Sequence, residues 1–220
     1  MADIFREVDE DVRRDEANKL WEKYQGLVLA AAALVVLATA GWRAYDYWRT
    51  QKAEAASASY EAALVLARDG RNDDAVTGLK ALTEPGTPQG YRTLAALRLA
   101  GELGRKDAAA GAKAYDAIGQ DGSVAPLLQS AAKLRAAMLR LDDADAREIS
   151  ARLEPLAAAG APFRHSAREM LGLAALKAGD FDAAGRWFDQ LVIDADAPAA
   201  VRERAEALLG LVRAGKASAK

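Results

Sequence analysis

The chain has 220 residues and a formal net charge of −2 at pH 7, with 30 Lys and Arg against 32 Asp and Glu. That length holds one domain of ordinary size beside a shorter segment, and a balance this even, without a basic face, excludes an electrostatic footprint for nucleic acid. One histidine and no cysteine exclude a zinc or thiol site built from those residues, so no metal or cofactor is expected.

Residues 1–25 read as an amphipathic helix. Ile4, Val8 and Val12 recur at i+4 and share a stripe with Phe5. Asp9–Arg13, Glu10–Arg14 and Asp15–Lys19 are acid-before-base pairs, each contributing about 0.2–0.5 kcal/mol to a helix. Two readings stay open for this tail, a solvated salt-bridged helix and a narrow docking surface.

Residues 26–48 follow as an apolar run with aromatic flanks. From Gly26 to Trp42 the only polar side chain is Thr39. At about 1.5 Å of rise per residue the run covers roughly 26 Å, slightly less than a hydrocarbon core. Trp21 and Tyr24 stand before it, and Trp42, Tyr45, Tyr47 and Trp48 after it. Such rings favour the headgroup level, where one end is apolar and the other meets water. A buried core helix has no use for these girdles. A cleaved signal peptide has a possible small-x-small site at Ala38 and Ala40, but its leader is short and basic, whereas the residues before this run carry eight acidic side chains against five basic ones. The residues therefore favour an uncleaved membrane anchor.

Five basic residues precede the span, and Arg43, Arg49 and Lys52 follow it closely. The positive-inside rule then puts the N-terminus in the cytoplasm and the rest on the far side. Gly26 and Ala30 form a small-xxx-small pair, which permits homodimerisation through the span. Neither glycine nor proline occurs between Trp42 and Asp69, so the span is expected to run unbroken into the first helix of the next domain.

Residues 49–215 are read as a helical-repeat domain and 216–220 as a flexible tail. Alanine supplies about a quarter of the chain, which favours helix. Four polar turns punctuate the helices, "RDGRNDDA", "ELGRKDAA", "RLDDADA" and "KAGDFDAA", closing on Ala75, Ala109, Ala146 and Ala184. Gly70, Gly104 and Gly179 mark three of them, and Leu141 stands where the third would have its glycine. A period near 34 with two helices per unit is the tetratricopeptide period. The last full unit, Arg168 to Pro198, supplies Leu171, Gly172, Gly179, Phe181, Ala184 and Phe188 in the tetratricopeptide order. Gly172 and Ala184 are small where two helices cross, Gly179 ends a helix, and the two phenylalanines fill space between units. The first unit repeats the layout with Ala63, Gly70, Ala75, Leu79 and Leu82. Residues 198–215 form a final helix covering the last face of the stack. The expected fold is all-α, a transmembrane helix followed by a tetratricopeptide-like solenoid.

No catalytic constellation emerges. His165 is alone, no nucleophile motif or phosphate-binding glycine loop occurs, and the acidic pairs at helix starts are accounted for as caps. The chain reads as a binding scaffold rather than an enzyme. A solenoid of helix pairs offers a groove to partner segments. Its candidate contact residues are Tyr91, Arg92, Arg98, Arg135, Arg164 and Arg168, because Tyr and Arg are enriched at interface anchors.

The charged opening "FREVDEDVRRDEANKLWEKY", the span directly after it and the degenerate repeats filling the rest together resemble the ancillary SecYEG translocon subunit family. That resemblance covers nearly the whole chain. It implies a single-pass bacterial inner-membrane protein with a periplasmic tetratricopeptide-like domain, associated with translocon subunits and periplasmic chaperones. The competing reading is a periplasmic scaffold of another envelope complex, for division or outer-membrane assembly, released by cleavage after Ala40. A soluble cytoplasmic adaptor is the third.

Overall fold

A computed structural model describes the backbone of residues 2–218 and the side chains of residue 18 and residues 21–217. The expected tail stripe of Ile4, Phe5, Val8 and Val12, and its three acid–base pairs, concern side chains outside the described residues. Among the described residues the chain forms nine helices and no strand. They are α1 (Ala2–Arg68), α2 (Asn72–Leu82), α3 (Gln89–Lys106), α4 (Ala108–Gln120), α5 (Pro126–Arg140), α6 (Ala146–Ala157), α7 (Arg164–Lys177), α8 (Phe181–Ile193) and α9 (Ala199–Ser218). The chain divides into two compact units, Met1–Glu54 and Ala55–Lys220, a boundary slightly beyond the expected edge at 48/49.

In the first unit nothing among the described residues covers the apolar run. Leu27 is 69% and Leu37 72% exposed, and Trp21, Trp42, Tyr47 and Trp48 are exposed with them. Thr39, the lone polar side chain of the run, donates its hydroxyl to the Val35 carbonyl at 2.7 Å, so no hydroxyl is left without a partner. Lys52 Nζ sits 4.0 Å above the centre of the Trp48 ring. Among the described residues this is the one helix long and apolar enough to cross a membrane.

In the second unit each helix packs chiefly on its neighbours in sequence, as stacked repeats do. The second helix of every pair buries the same three positions. Counting from the first helical residue, the fourth is Ala75, Gly111, Ile149 or Ala184; the eighth is Leu79, Tyr115, Leu153 or Phe188; the eleventh is Leu82, Ile118, Leu156 or Leu191. That i, i+4, i+7 spacing is one face of a helix, and it joins four successive core clusters.

This register corrects the reading of the middle repeats. Ala109 is exposed and Ala146 only half-buried; Gly111 and Ile149 occupy the places of Ala75 and Ala184. The turns differ in length, and aligning their Asp-Ala pairs conceals the shift. Asp107 alone separates α3 from α4 and caps α4 through the amides of Ala109 and Ala110, at 2.9 and 3.1 Å. Asp145 caps α6 through the Glu148 amide at 2.7 Å after a longer turn.

Gly104 likewise has a different job from Gly70 and Gly179. The latter two have φ of +78° and +77° and end α1 and α7 identically. The Arg71 amide reaches back to the Leu66 carbonyl at 2.9 Å, and the Asp180 amide to Ala175 at 2.9 Å, the six-to-one bond of a glycine-terminated helix. Gly104 instead lies inside α3, where a Cβ added at Gly111 would come 2.4 Å from its Cα. The glycines are therefore a helix-crossing contact, and the 34-residue step from Gly70 pairs a turn glycine with a crossing one. At the third turn, which lacks a glycine, Lys177 Nζ donates to the carbonyls of Leu141 and Asp142 instead.

In the fourth pair Phe188 is fully buried on Gly172, where a Cβ would sit 2.4 Å from its Cε1. Ala205, Leu209 and Val212 of α9 close the same cluster. Residues 216–218, expected in the flexible tail, continue α9, and Lys216 Nζ bonds Asp182 at 2.6 Å.

Candidate functional site

The first helices of the pairs build an open groove of about 480 Å³ in the second unit, lined from residue 60 of α1, α3 and α5 with Tyr115 of α4 beneath. Leu94, Leu97 and Leu128 form its apolar walls, and Arg98, Glu102, Arg105 and Arg135 its charges. At Gly101 the absent side chain leaves room for the Tyr115 hydroxyl, which a Cβ would approach to 3.1 Å.

Glu102 is the unusual element. Only 3% of it is exposed, although a carboxylate loses most of its hydration on burial and must be paired. One turn back along α3, Arg98 Nη2 approaches Glu102 Oε1 at 2.7 Å. Arg105, one turn on, brings Nε to 3.6 Å from Oε2, too far for a hydrogen bond. Two atoms of this group are therefore sealed from solvent without a hydrogen-bond partner: Arg98 Nε and Glu102 Oε2. An unmet buried polar atom costs about 1–3 kcal/mol. Arg135 is exposed and makes no ion pair among the described residues.

The structure separates the six expected contact residues into four settings. Arg98 and Arg135 line the groove. Tyr91 packs against Tyr60, ring centres 6.4 Å apart at 58°, and belongs to the first core cluster. Arg92 donates to Gln89 Oε1, and Gln89 in turn bonds the Ser123 hydroxyl at 3.0 Å, so this group ties the start of α3 to the loop before α5.

Arg164 and Arg168 have a structural task. With His165 they converge from the start of α7 on Asp194, just past α8. Arg164 Nε, His165 Nε2 and Arg168 Nη1 lie 3.3, 3.1 and 3.0 Å from its Oδ2. Arg164 also reaches Asp196 at 2.9 Å, and Arg168 the Ala157 carbonyl at 3.1 Å. The hydrogen bond from Arg164, helped by the Asp196 amide and by His165, holds the Asp194 carboxyl at about 2 against the opposing effect of burial.

Sequence reasoning missed Glu102, Arg105, Tyr60 and Asp194. The i, i+4 pair Arg98–Glu102 was legible as a helical pair, but its burial was not. Tyr60 carries no local signal, because its place in the groove depends on how α1 meets α3.

The paired helices, their repeating buried register and a groove lined by the first helices of the first three pairs define a helical-repeat protein of the tetratricopeptide kind. The family model described as "Tetratricopeptide repeat-like domain" matches residues 18–207, and the chain belongs to that family. No curated protein and no solved structure matches it. Tetratricopeptide-like repeats serve generally as protein-interaction scaffolds, and the groove is the surface here that suits that role.

Proposed function

We propose that the chain is a non-enzymatic, membrane-anchored scaffold that holds partner proteins in the groove of its repeat domain. The observation that carries this reading is the groove itself, an open cleft in which Leu94, Leu97 and Leu128 stand beside Arg98, Arg105 and Arg135. The cleft gathers guanidinium groups, leucines, a tyrosine and one carboxylate, Glu102, which is held by Arg98 at 2.7 Å.

Residues 26–48 anchor the scaffold in this reading. Leucines and valines so fully exposed along a helix are stable in hydrocarbon and unfavourable in water. The excess of basic residues before the span supports a cytoplasmic N-terminus and a repeat domain on the far side. The resemblance of the charged opening, span and repeats supports the narrower proposal, an ancillary subunit of the bacterial inner-membrane SecYEG translocon that links it to periplasmic chaperones.

The test is a pull-down of the chain, tagged at its C-terminus, from mildly solubilised membranes, with mass spectrometry of what is recovered. Intact chain with translocon subunits and periplasmic chaperones is the expected result. Intact chain with only other envelope partners would overturn the translocon role and keep the scaffold. A soluble species beginning at Gly41 would overturn the anchor and favour the released envelope scaffold.

A further inference from the structure

We infer that a second cleft, built by α4 and α6 with a lysine of α5, binds a free α-amino acid with an apolar side chain. It shares no residue with the groove, so the inference goes beyond the scaffold reading and does not rest on it. The cleft has a volume of about 280 Å³. Pockets for drug-sized ligands run from about 300 to 1,000 Å³, so this one suits a smaller molecule.

Two features meet there that packing alone does not require. Pro155 stands inside α6. It has no N–H, so the Ala151 carbonyl, four residues back, has no helical partner at that position. Both residues are exposed and both line the cleft, so a ligand can reach that oxygen. The second feature is a seated lysine. The stem of Lys133 lies across Gly119 of α4, where an added Cβ would come 2.8 Å from its Cγ and 3.3 Å from its Cε. The missing side chain at Gly119 is what lets the stem lie there, and a stem held by packing leaves its charged head in water. The ion pairs in this cleft join Arg152 to Asp116 and Glu148, and Lys133 has none among the described residues.

Charge then selects the ligand. Arg152 Nη1 donates to both oxygens of Asp116 at 2.8 Å, and its Nε to Glu148 at 3.1 Å. With Lys133 that makes two cations against two carboxylates, a neutral site whose unpaired charge is positive and whose unpaired backbone group is an acceptor. A simple anion meets Lys133 and leaves the carbonyl bare. A simple cation meets the carbonyl and is repelled by Lys133. A zwitterion meets both and adds no net charge. Its carboxylate accepts from Lys133 and from the side-chain amide of Gln120, which lines the same cleft. Its ammonium has three N–H donors, enough for the Ala151 carbonyl and for a remaining lone pair of Asp116. Pro155 and Leu156 supply the apolar contact for its side chain.

The experiment uses the full chain in lipid nanodiscs and saturation-transfer NMR, with empty nanodiscs as the blank. The probes are L-leucine, isocaproate (leucine without its ammonium), isoamylamine (leucine without its carboxylate) and N-acetyl-leucine. Leucine is expected to bind with a Kd of about 1 mM or tighter, and each of the other three about tenfold or more weaker, because each loses a charged hydrogen-bonding group. Lys133→Ala is expected to raise the Kd for leucine about tenfold or more. Pro155→Ala is expected to raise it about fivefold, since the restored N–H occupies the Ala151 carbonyl. That variant favours the helix, so loss of binding is not loss of fold, and circular dichroism checks both variants. Arg135→Ala, in the groove, is expected to leave the Kd unchanged.

No leucine signal above empty nanodiscs overturns the inference. Equal binding of leucine and isocaproate overturns the role of the Ala151 carbonyl, and equal binding of leucine and isoamylamine that of Lys133. N-acetyl-leucine binding as tightly as leucine overturns the free amino acid and assigns the cleft to a chain end. An unchanged Kd in both Lys133→Ala and Pro155→Ala places the binding elsewhere and overturns the site.

Discussion

In the fourth helix pair Phe188 rests on Gly172, and the arginines near the start of α7 are spent within the fold, on Asp194 and Asp196. In the second pair Gly111 rests on Gly104, and the charged group of α3 is left partly unmet beside Arg135, which has no ion pair among the described residues. Both pairs solve the packing problem in the same way, with a residue small enough for a close crossing. They differ in what the arginines do. The pair with the clearest repeat signature is closed on itself, and the pair whose signature is degenerate holds the open chemistry. Departures from a repeat pattern are expected where function competes with packing, and in this pair the departure includes a buried carboxylate, Glu102.

Five substitutions, in four tests, would break or sharpen this contrast. Phe188→Ala is expected to have the largest effect, a loss of about 3–5 kcal/mol in stability, read by chemical denaturation of the repeat domain in the full chain. Phe188 is wholly buried between α7, α8 and α9, so its cavity cannot collapse without moving three helices. A loss below about 1 kcal/mol would mean that the fourth pair is looser than described.

Gly111→Ala is expected to cost about 1–3 kcal/mol, because the added carbon meets the backbone of Gly104 and the Ala100 carbonyl, at 2.4 and 2.9 Å. Backbone cannot turn aside as a side chain can. A neutral result would show that α3 and α4 cross farther apart, and the shared packing logic of the two pairs would fail.

The arginine contrast is tested by truncating one from each region. Arg168→Ala removes hydrogen bonds to Asp194 and to the Ala157 carbonyl and is expected to cost about 1–3 kcal/mol. Arg135→Ala is expected to change stability by no more than about 0.5 kcal/mol. If the two variants unfold at the same denaturant concentration, the division between structural and available arginines is wrong.

The last effect is confined to acid. Asp194 has its carboxyl lowered from 3.8 to about 2 by its hydrogen bonds. A depressed folded value contributes stability that is complete above the unfolded value and is lost as pH falls through the folded one. Between pH 3.8 and about 2, therefore, the wild-type chain should lose stability more steeply than Asp194→Asn. Parallel acid titrations by circular dichroism would refute the Asp194 account.

Much of this fold could be read from residue order. The exposed apolar run of α1 and its aromatic flanks were visible as composition, and Gly70 and Gly179 as helix-ending glycines. The i, i+4, i+7 face of α8 was visible through Ala184 and Phe188. The middle register was hidden because Ala109 and Ala146 mimic their counterparts while turn lengths shift the true positions to Gly111 and Ile149. The groove was half legible: Arg98 and Arg135 were singled out by residue type, as were Arg164 and Arg168, which the fold consumes. Residue type cannot distinguish these cases, since an acidic neighbour twenty-six residues away, as Asp194 is from Arg168, exists only after the helices have stacked.

The most direct test of the groove as the partner site is photo-crosslinking in native membranes, with a photoreactive residue at Leu94 in the groove or at Lys113, exposed on α4. The account predicts adducts of partner proteins from position 94. It predicts none from position 113. Adducts from Lys113 with none from Leu94 would contradict it and move the partner site to the opposite face of the pair.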